Sequence, residues 1–125
     1  TTGRPRRCGW IDLPQLKYTI MLNGVTQLAI TKIDVLNKFD EIMAATHYRY
    51  DGQTTDQLPF DLCGVPVEPV YKELDASKDF EELPRSAQAY LEALEDYLGV
   101  PITMVSTGPE RESLILKEMP MKLPW

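Results

Sequence analysis

Apolar positions change their spacing several times along the chain, and each change marks an element. Leu13, Leu16 and Ile20 recur at helical spacing behind Asp12 and Pro14, and Asn23-Gly24 supplies a stop. Leu28-Ala29-Ile30-Thr31 is a short continuous apolar run, the pattern of a buried parallel strand. From Ile42 to Tyr50 the period falls to two. Ile42, Ala44, Thr46, Tyr48 and Tyr50 alternate with Met43, Ala45, His47 and Arg49. Asp51-Gly52 is a hairpin turn signal, so the chain from Thr54 is expected to return antiparallel. Pro59, Pro66 and Pro69 break the next stretch into a loop, with an edge strand expected from Val67 to Leu74.

The clearest helix starts near Pro84. Ala87, Tyr90, Leu91, Leu94, Tyr97 and Leu98 form one apolar stripe, with Glu92, Glu95 and Asp96 expected to face water. Gly99 is a C-terminal cap candidate and Pro101 prevents continuation. Ile102 to Val105 is a second short apolar strand, running into a Ser106-Thr107-Gly108 turn. Strand–helix–strand alternation of this kind predicts an α/β fold with parallel elements and an added antiparallel β-hairpin. There are no internal repeats and no low-complexity stretch.

The chain's 125 residues are enough for one domain with a core. No apolar run approaches the ~20 residues of a membrane span, and no signal-peptide pattern opens the chain. Cys8 and Cys63 fit no metal spacing and make no disulfide framework, so a reducing cytoplasm is the default. The net charge of −6 argues against a nucleic-acid partner. Against that acidic background Arg4, Arg6 and Arg7 form a local basic cluster with no acid beside it. Such a cluster suits a compact anion, and Thr1, Thr2 and Gly3 add hydroxyls and N–H groups that suit phosphate or carboxylate.

Two segments carry the candidate chemistry: Thr31-Lys32-Ile33-Asp34 and Ser106-Thr107-Gly108-Pro109. Each comes after an apolar strand, and ligands in open α/β sheets bind outside the carboxyl ends of strands. Guanine presents N1–H and its 2-amino group as adjacent donors, and one carboxylate accepts from both. Its O6 is an acceptor for N–H groups of a glycine-containing loop. A lysine stem lies along the ring face. Either tetrapeptide alone is a weak signal, the first reading more readily as a strand end with solvated charges and the second as a common loop composition. Their joint placement is the layout by which GTPases read guanine. No phosphate-cradling Gly-rich loop with Lys and Ser/Thr is present, so this is half a nucleotide site. His47 is expected at an ordinary sheet position, and Cys8 and Cys63 as packing residues, since no histidine is placed to activate either. The acidic run Asp79, Glu81 and Glu82 reads as a solvated approach to the helix, and Trp10 as an anchor of the opening loop.

Three blocks together resemble adenylosuccinate synthetases. They are Thr1-Thr2-Gly3-Arg4-Pro5-Arg6-Arg7-Cys8-Gly9-Trp10, then Leu28-Ala29-Ile30-Thr31-Lys32-Ile33-Asp34-Val35-Leu36, then Gly99-Val100-Pro101-Ile102 with Val105-Ser106-Thr107-Gly108-Pro109-Glu110-Arg111. They stand in the family's order, and the likeness runs over the whole chain as one C-terminal segment, 1–125. It comprises a substrate loop at 1–10 and guanine-binding elements at 28–36 and 102–111. The resemblance implies the C-terminal part of a P-loop-NTPase-like mixed sheet flanked by helices. It also implies a ligase of purine (AMP) biosynthesis that joins IMP to L-aspartate with GTP and Mg²⁺, yielding adenylosuccinate, GDP and phosphate.

By the same resemblance Thr1, Thr2, Gly3, Arg4 and Arg6 bind aspartate and IMP. Arg6, Lys32, Ile33, Asp34, Ser106, Thr107 and Gly108 bind GTP. The phosphate loop, the catalytic Asp and His, and the Mg²⁺ site belong to a part of the family's chain that precedes this one. No catalytic residue and no metal ligand is therefore expected here, and the segment alone is expected to be inactive. A cytoplasmic homodimer is implied for the intact enzyme. Pro5 departs from the basic residue many members carry. The alternative is a non-catalytic module that binds guanine nucleotides or anions.

Overall fold

The computed structural model describes residues 3–74 and 85–117. The acidic run at 79–82, Pro84, Thr1 and Thr2 lie outside the described residues. Helix α1 spans Leu13–Asn23. The Asp12 side chain accepts from the Gln15 N–H at 3.1 Å, Pro14 sits in the first turn, and Gly24 ends the helix at φ 59°. Only a residue without Cβ takes that left-handed turn freely, so the stop is written into the sequence. Helix α2 spans Arg85–Leu98, and Tyr90, Leu91, Leu94 and Leu98 on its stripe are buried. Each such leucine contributes about 1.5–3 kcal/mol by leaving water. They meet Leu13, Ile20, Ile33, Ile42, Ala44, Ile102 and Val105 in one core.

The strands divide between two mixed sheets. The first is built on β3 (Ile42–Tyr50), with β1 (Ile11–Asp12) parallel to it at Ala44 and Ala45. On the same edge β4 (Gln53–Thr55) returns antiparallel through the Asp51-Gly52 turn, both of whose residues have positive φ. The other edge pairs with β5 (Glu68–Leu74), antiparallel along nearly the whole length of β3. The second sheet has the order β2 (Leu28–Ile30), β6 (Ile102–Ser106), β7 (Leu114–Leu116), with β2 parallel and β7 antiparallel to β6.

Several expectations need correction. β2 is parallel, as its apolar run suggests, but only half-buried, with Ala29 exposed and Thr31 beyond its end. The strict alternation in β3 fails at a bulge between Ala45 and His47, where Ala44 and Ala45 are both buried. Thr46, the extra residue, offers its carbonyl to the Tyr97 hydroxyl at 2.7 Å. Glu95 does not simply face water. Its carboxylate accepts from the Ile102 N–H at 2.6 Å and from Lys117 Nζ at 3.1 Å, so it ties α2 to the start of β6. Cys8 and Cys63 are both exposed and free, not packing residues.

Candidate functional site

Parallel pairing of β2 with β6 sets the site. Ile30 stands opposite Val105, so the chain leaves both strands at the same end, into Thr31–Asp34 on one side and Thr107-Gly108 on the other. The expected juxtaposition of the two segments is therefore present in the fold. Lys32 adopts a left-handed conformation, φ 59° and ψ 35°, and opens a 3-10 helix over Ile33–Lys38. Such a φ is uncommon for a residue with a side chain. It turns the chain sharply, so that Ile33 drops into the core while Asp34 occupies the helix's first turn. The Val35 N–H reaches the Lys32 carbonyl at 3.1 Å, and the Phe39 N–H closes the element on Leu36 at 3.0 Å.

Asp34 carries the main polar anomaly. Its Oδ1 is buried and has no hydrogen-bond partner. A buried acceptor left unmet costs about 1–3 kcal/mol, and native folds rarely leave one without a reason. An acceptor-only group held in that condition fits a ligand that brings donors. Two adjacent N–H groups on a purine edge are such donors.

The facing loop is built differently. Ser106 Oγ donates to the Gly108 carbonyl at 2.9 Å, and Thr107 Oγ1 donates to the Ser113 carbonyl at 3.2 Å. The Thr107 N–H meets that same carbonyl at 3.0 Å. Both hydroxyls thus spend their protons shaping their own loop. A Cβ at Gly108 would lie 2.9 Å from Ser113 Oγ, so the serine hydroxyl would have to turn aside. The backing residue Ser113, with the short 3-10 turn Arg111–Ser113, gave no signal in the sequence.

The basic segment is arranged otherwise again. Gly3 has φ 61°, and Gly3 to Gly9 are exposed. No hydrogen bond or ion pair joins Arg4, Arg6 or Arg7 to any described residue. What the structure brings to the Lys32 loop is the segment's end. Gly9 and Trp10 line a cavity of about 250 Å³ with Thr31, Lys32, Ile33 and Leu36, floored by Tyr90 and Leu94. The Trp10 ring meets Phe39 edge to face, 5.0 Å between centroids.

A roomier cavity of about 640 Å³ lies between Pro14, Lys17, Met21, Gln57 and Leu98. None of the expected site residues lines it, whereas Lys32 and Ile33 line the smaller one. His47 is half-buried in β3, its Nδ1 3.0 Å from Thr46 Oγ1, in the sheet that does not carry the two loops. Among the described residues no three His, Cys, Asp or Glu side chains are placed to hold a metal ion. None of the described helices is long and apolar enough to cross a membrane.

Comparison with known proteins agrees with this geometry. The family profile described as adenylosuccinate synthetase matches residues 1–115. An adenylosuccinate synthetase of Cytophaga hutchinsonii is 45% identical over 94% of this chain and 29% of its own length. That of Lodderomyces elongisporus is 47% identical over 95% of this chain and 30% of its own. Among solved structures, that of fully ligated adenylosuccinate synthetase from Plasmodium falciparum superposes with a TM-score of 0.80 at 33% identity. It covers 94% of this chain and 31% of that one. The chain therefore spans about 30% of the length of the relatives it matches. With a match across nearly all of its residues and the two loops paired at one strand end, the chain belongs to the adenylosuccinate synthetase family.

Proposed function

We propose that this chain is the C-terminal portion of an adenylosuccinate synthetase. That enzyme is a GTP-dependent ligase that joins IMP to L-aspartate and releases adenylosuccinate, GDP and phosphate. On this reading the segment supplies substrate binding, and the phosphate loop, Mg²⁺ site and catalytic Asp and His come from elsewhere in the enzyme. The intact enzyme is a homodimer of the cytoplasm. The observation that carries the reading is the buried, unpartnered Oδ1 of Asp34 beside a segment that matches the family.

Asp34 accepts from guanine N1–H and the 2-amino group. Lys32 lays its stem on the ring, and Ile33 anchors the turn by its burial. The Ser106–Gly108 loop stands on the other side of the base as a shaped wall, its hydroxyls already engaged. Thr1, Thr2, Gly3, Arg4 and Arg6 close on aspartate. Two carboxylates need fixed guanidinium forks, which lysine does not supply. Arg6 also reaches towards the nucleotide. The contribution of these groups is orientation: holding an amine in attack geometry at the purine C6.

The test pairs two preparations. Full-length enzyme carrying this segment is expected to form adenylosuccinate from IMP, aspartate, GTP and Mg²⁺. The 125-residue chain alone is expected to form none, because removing the central members of a catalytic group removes nearly all activity. Steady product from the chain alone, above an enzyme-free control, overturns the reading.

A further inference from the structure

We propose that Trp10 and Phe39 are positioning residues that couple the arginine segment to the base-reading loop, so that filling either site favours filling the other. This rests on the proposed function and adds a link between its two sites. Trp10 is the last residue before β1, and Phe39 the first after the 3-10 helix that carries Asp34. Their rings meet edge to face, centroids 5.0 Å apart and planes at 64°. Trp10 packs against the core, whereas Phe39 is 44% exposed and is not part of it. The indole is thus a contact through which the phenyl ring meets a residue packed on the core.

The segment's base is fixed just beyond this point. Ile11 and Asp12 pair with β3, and Asp12 accepts a hydrogen bond from Tyr48. Closure of residues 3–9 over an anion therefore pivots at Trp10. Displacement of the indole acts on Phe39, whose own N–H closes the 3-10 helix. The cavity between Gly9-Trp10 and Thr31–Ile33 leaves room for that adjustment. Edge-to-face pairs are strong enough to shift such an equilibrium by roughly two- to tenfold. Coupling between two binding sites is reciprocal.

The experiment uses full-length enzyme carrying this segment, with IMP present and a non-hydrolysable GTP analogue. Calorimetry gives the dissociation constant of the analogue with and without saturating L-aspartate. In the unaltered enzyme, aspartate is expected to tighten the analogue. In Trp10→Ala, and equally in Phe39→Ala, that tightening should fall by roughly two- to tenfold. Affinity for the analogue without aspartate should change less. The double variant should lose no more than either single one, and Trp10→Phe should recover most of the effect. A residue with a merely structural role lowers affinity but leaves the ratio alone.

Phe39→Ala alters an exposed side chain, so it decides the matter even where Trp10→Ala fails to fold. An undiminished ratio in Phe39→Ala, or no tightening in the unaltered enzyme, overturns the coupling. The functional reading is judged apart from it. Arg6→Leu should abolish the effect of aspartate and Asp34→Asn should weaken the analogue. If both are silent, that reading fails whatever the aromatic pair does.

Discussion

Asp34 and Arg6 stand on opposite terms with the fold. Asp34 sits in a 3-10 turn fixed by a left-handed Lys32, with Ile33 locked into the core and one carboxylate oxygen buried without a partner. Arg6 lies in an exposed run that makes no hydrogen bond or ion pair with the described residues. The first region meets the cost of specificity within the fold, before any ligand arrives. The second defers its ordering cost to the moment of binding. A base of fixed outline suits the first design. A small, doubly charged acid that must be enclosed suits the second.

If that contrast is right, substitutions in the two regions should divide between affinity and stability. Arg6→Leu, in full-length enzyme, should raise the aspartate KM roughly tenfold to a hundredfold, the loss of a charge-assisted bond of about 1.5–3 kcal/mol. It should leave the melting temperature of the ligand-free protein unchanged. Arg6→Lys should rescue poorly, because the fork geometry is lost. Steady-state kinetics and a thermal melt on the same preparations check both halves. An unchanged KM in both variants removes Arg6 from the site.

Beneath the arginine segment the anchor should behave as ordinary structure. Tyr48, 4% exposed, donates to Asp12, and burial, then this bond, push its phenol well above the usual range. Tyr97 and Tyr90 are raised too, each chiefly by burial. A raised folded pKa means the native state keeps a proton that the unfolded chain releases near pH 10. Stability is then whole below about pH 10 and falls above it, by at most about 1.4 kcal/mol per pH unit for each such group. Tyr48→Phe should cost about 1.5 kcal/mol at pH 7 and flatten, without abolishing, the alkaline decline. Denaturant melts between pH 7 and 11 measure both. An unchanged slope means that Tyr48 does not hold its proton as described.

A smaller effect, with the opposite sign, is expected on the guanine side. Asp34→Ala removes an unmet buried acceptor and should stabilise the ligand-free protein by about 1 kcal/mol while weakening GTP. A clear loss of stability would mean that Asp34 is satisfied within the fold.

The elements that could be read from the sequence are those with their own punctuation. Asp12, Pro14 and Gly24 bracket α1, Asp51-Gly52 turns the hairpin, and the leucine stripe defines α2. β7 escaped notice because Leu114-Ile115-Leu116 is too short to show a period, and its place depends on pairing with β6. The inward turn of Glu95 depends on a backbone N–H and on Lys117, both distant in sequence. At the site, residue types and strand ends pointed to Lys32 and Asp34. The left-handed Lys32 did not show, because lysine carries no preference for that conformation. Ser106 and Thr107 were legible as a loop but not as hydroxyls turned upon their own backbone. Local sequence does not say which of several acceptors a hydroxyl will find.

The central claim is that Asp34 reads the base, and Asp34→Asn tests it most directly. Asn keeps one acceptor but replaces the other with a donor, which opposes the guanine amino group. Xanthine carries a carbonyl at that ring position, so the donor then finds a partner. Mismatches of this kind within a closed site discriminate strongly. The measurement is kcat/KM with GTP and with xanthosine triphosphate, for full-length enzyme and for Asp34→Asn. The expected result is a shift of the ratio towards xanthosine triphosphate in the variant. A ratio that does not move would mean that Asp34 does not read guanine, and the site built on it would be wrong.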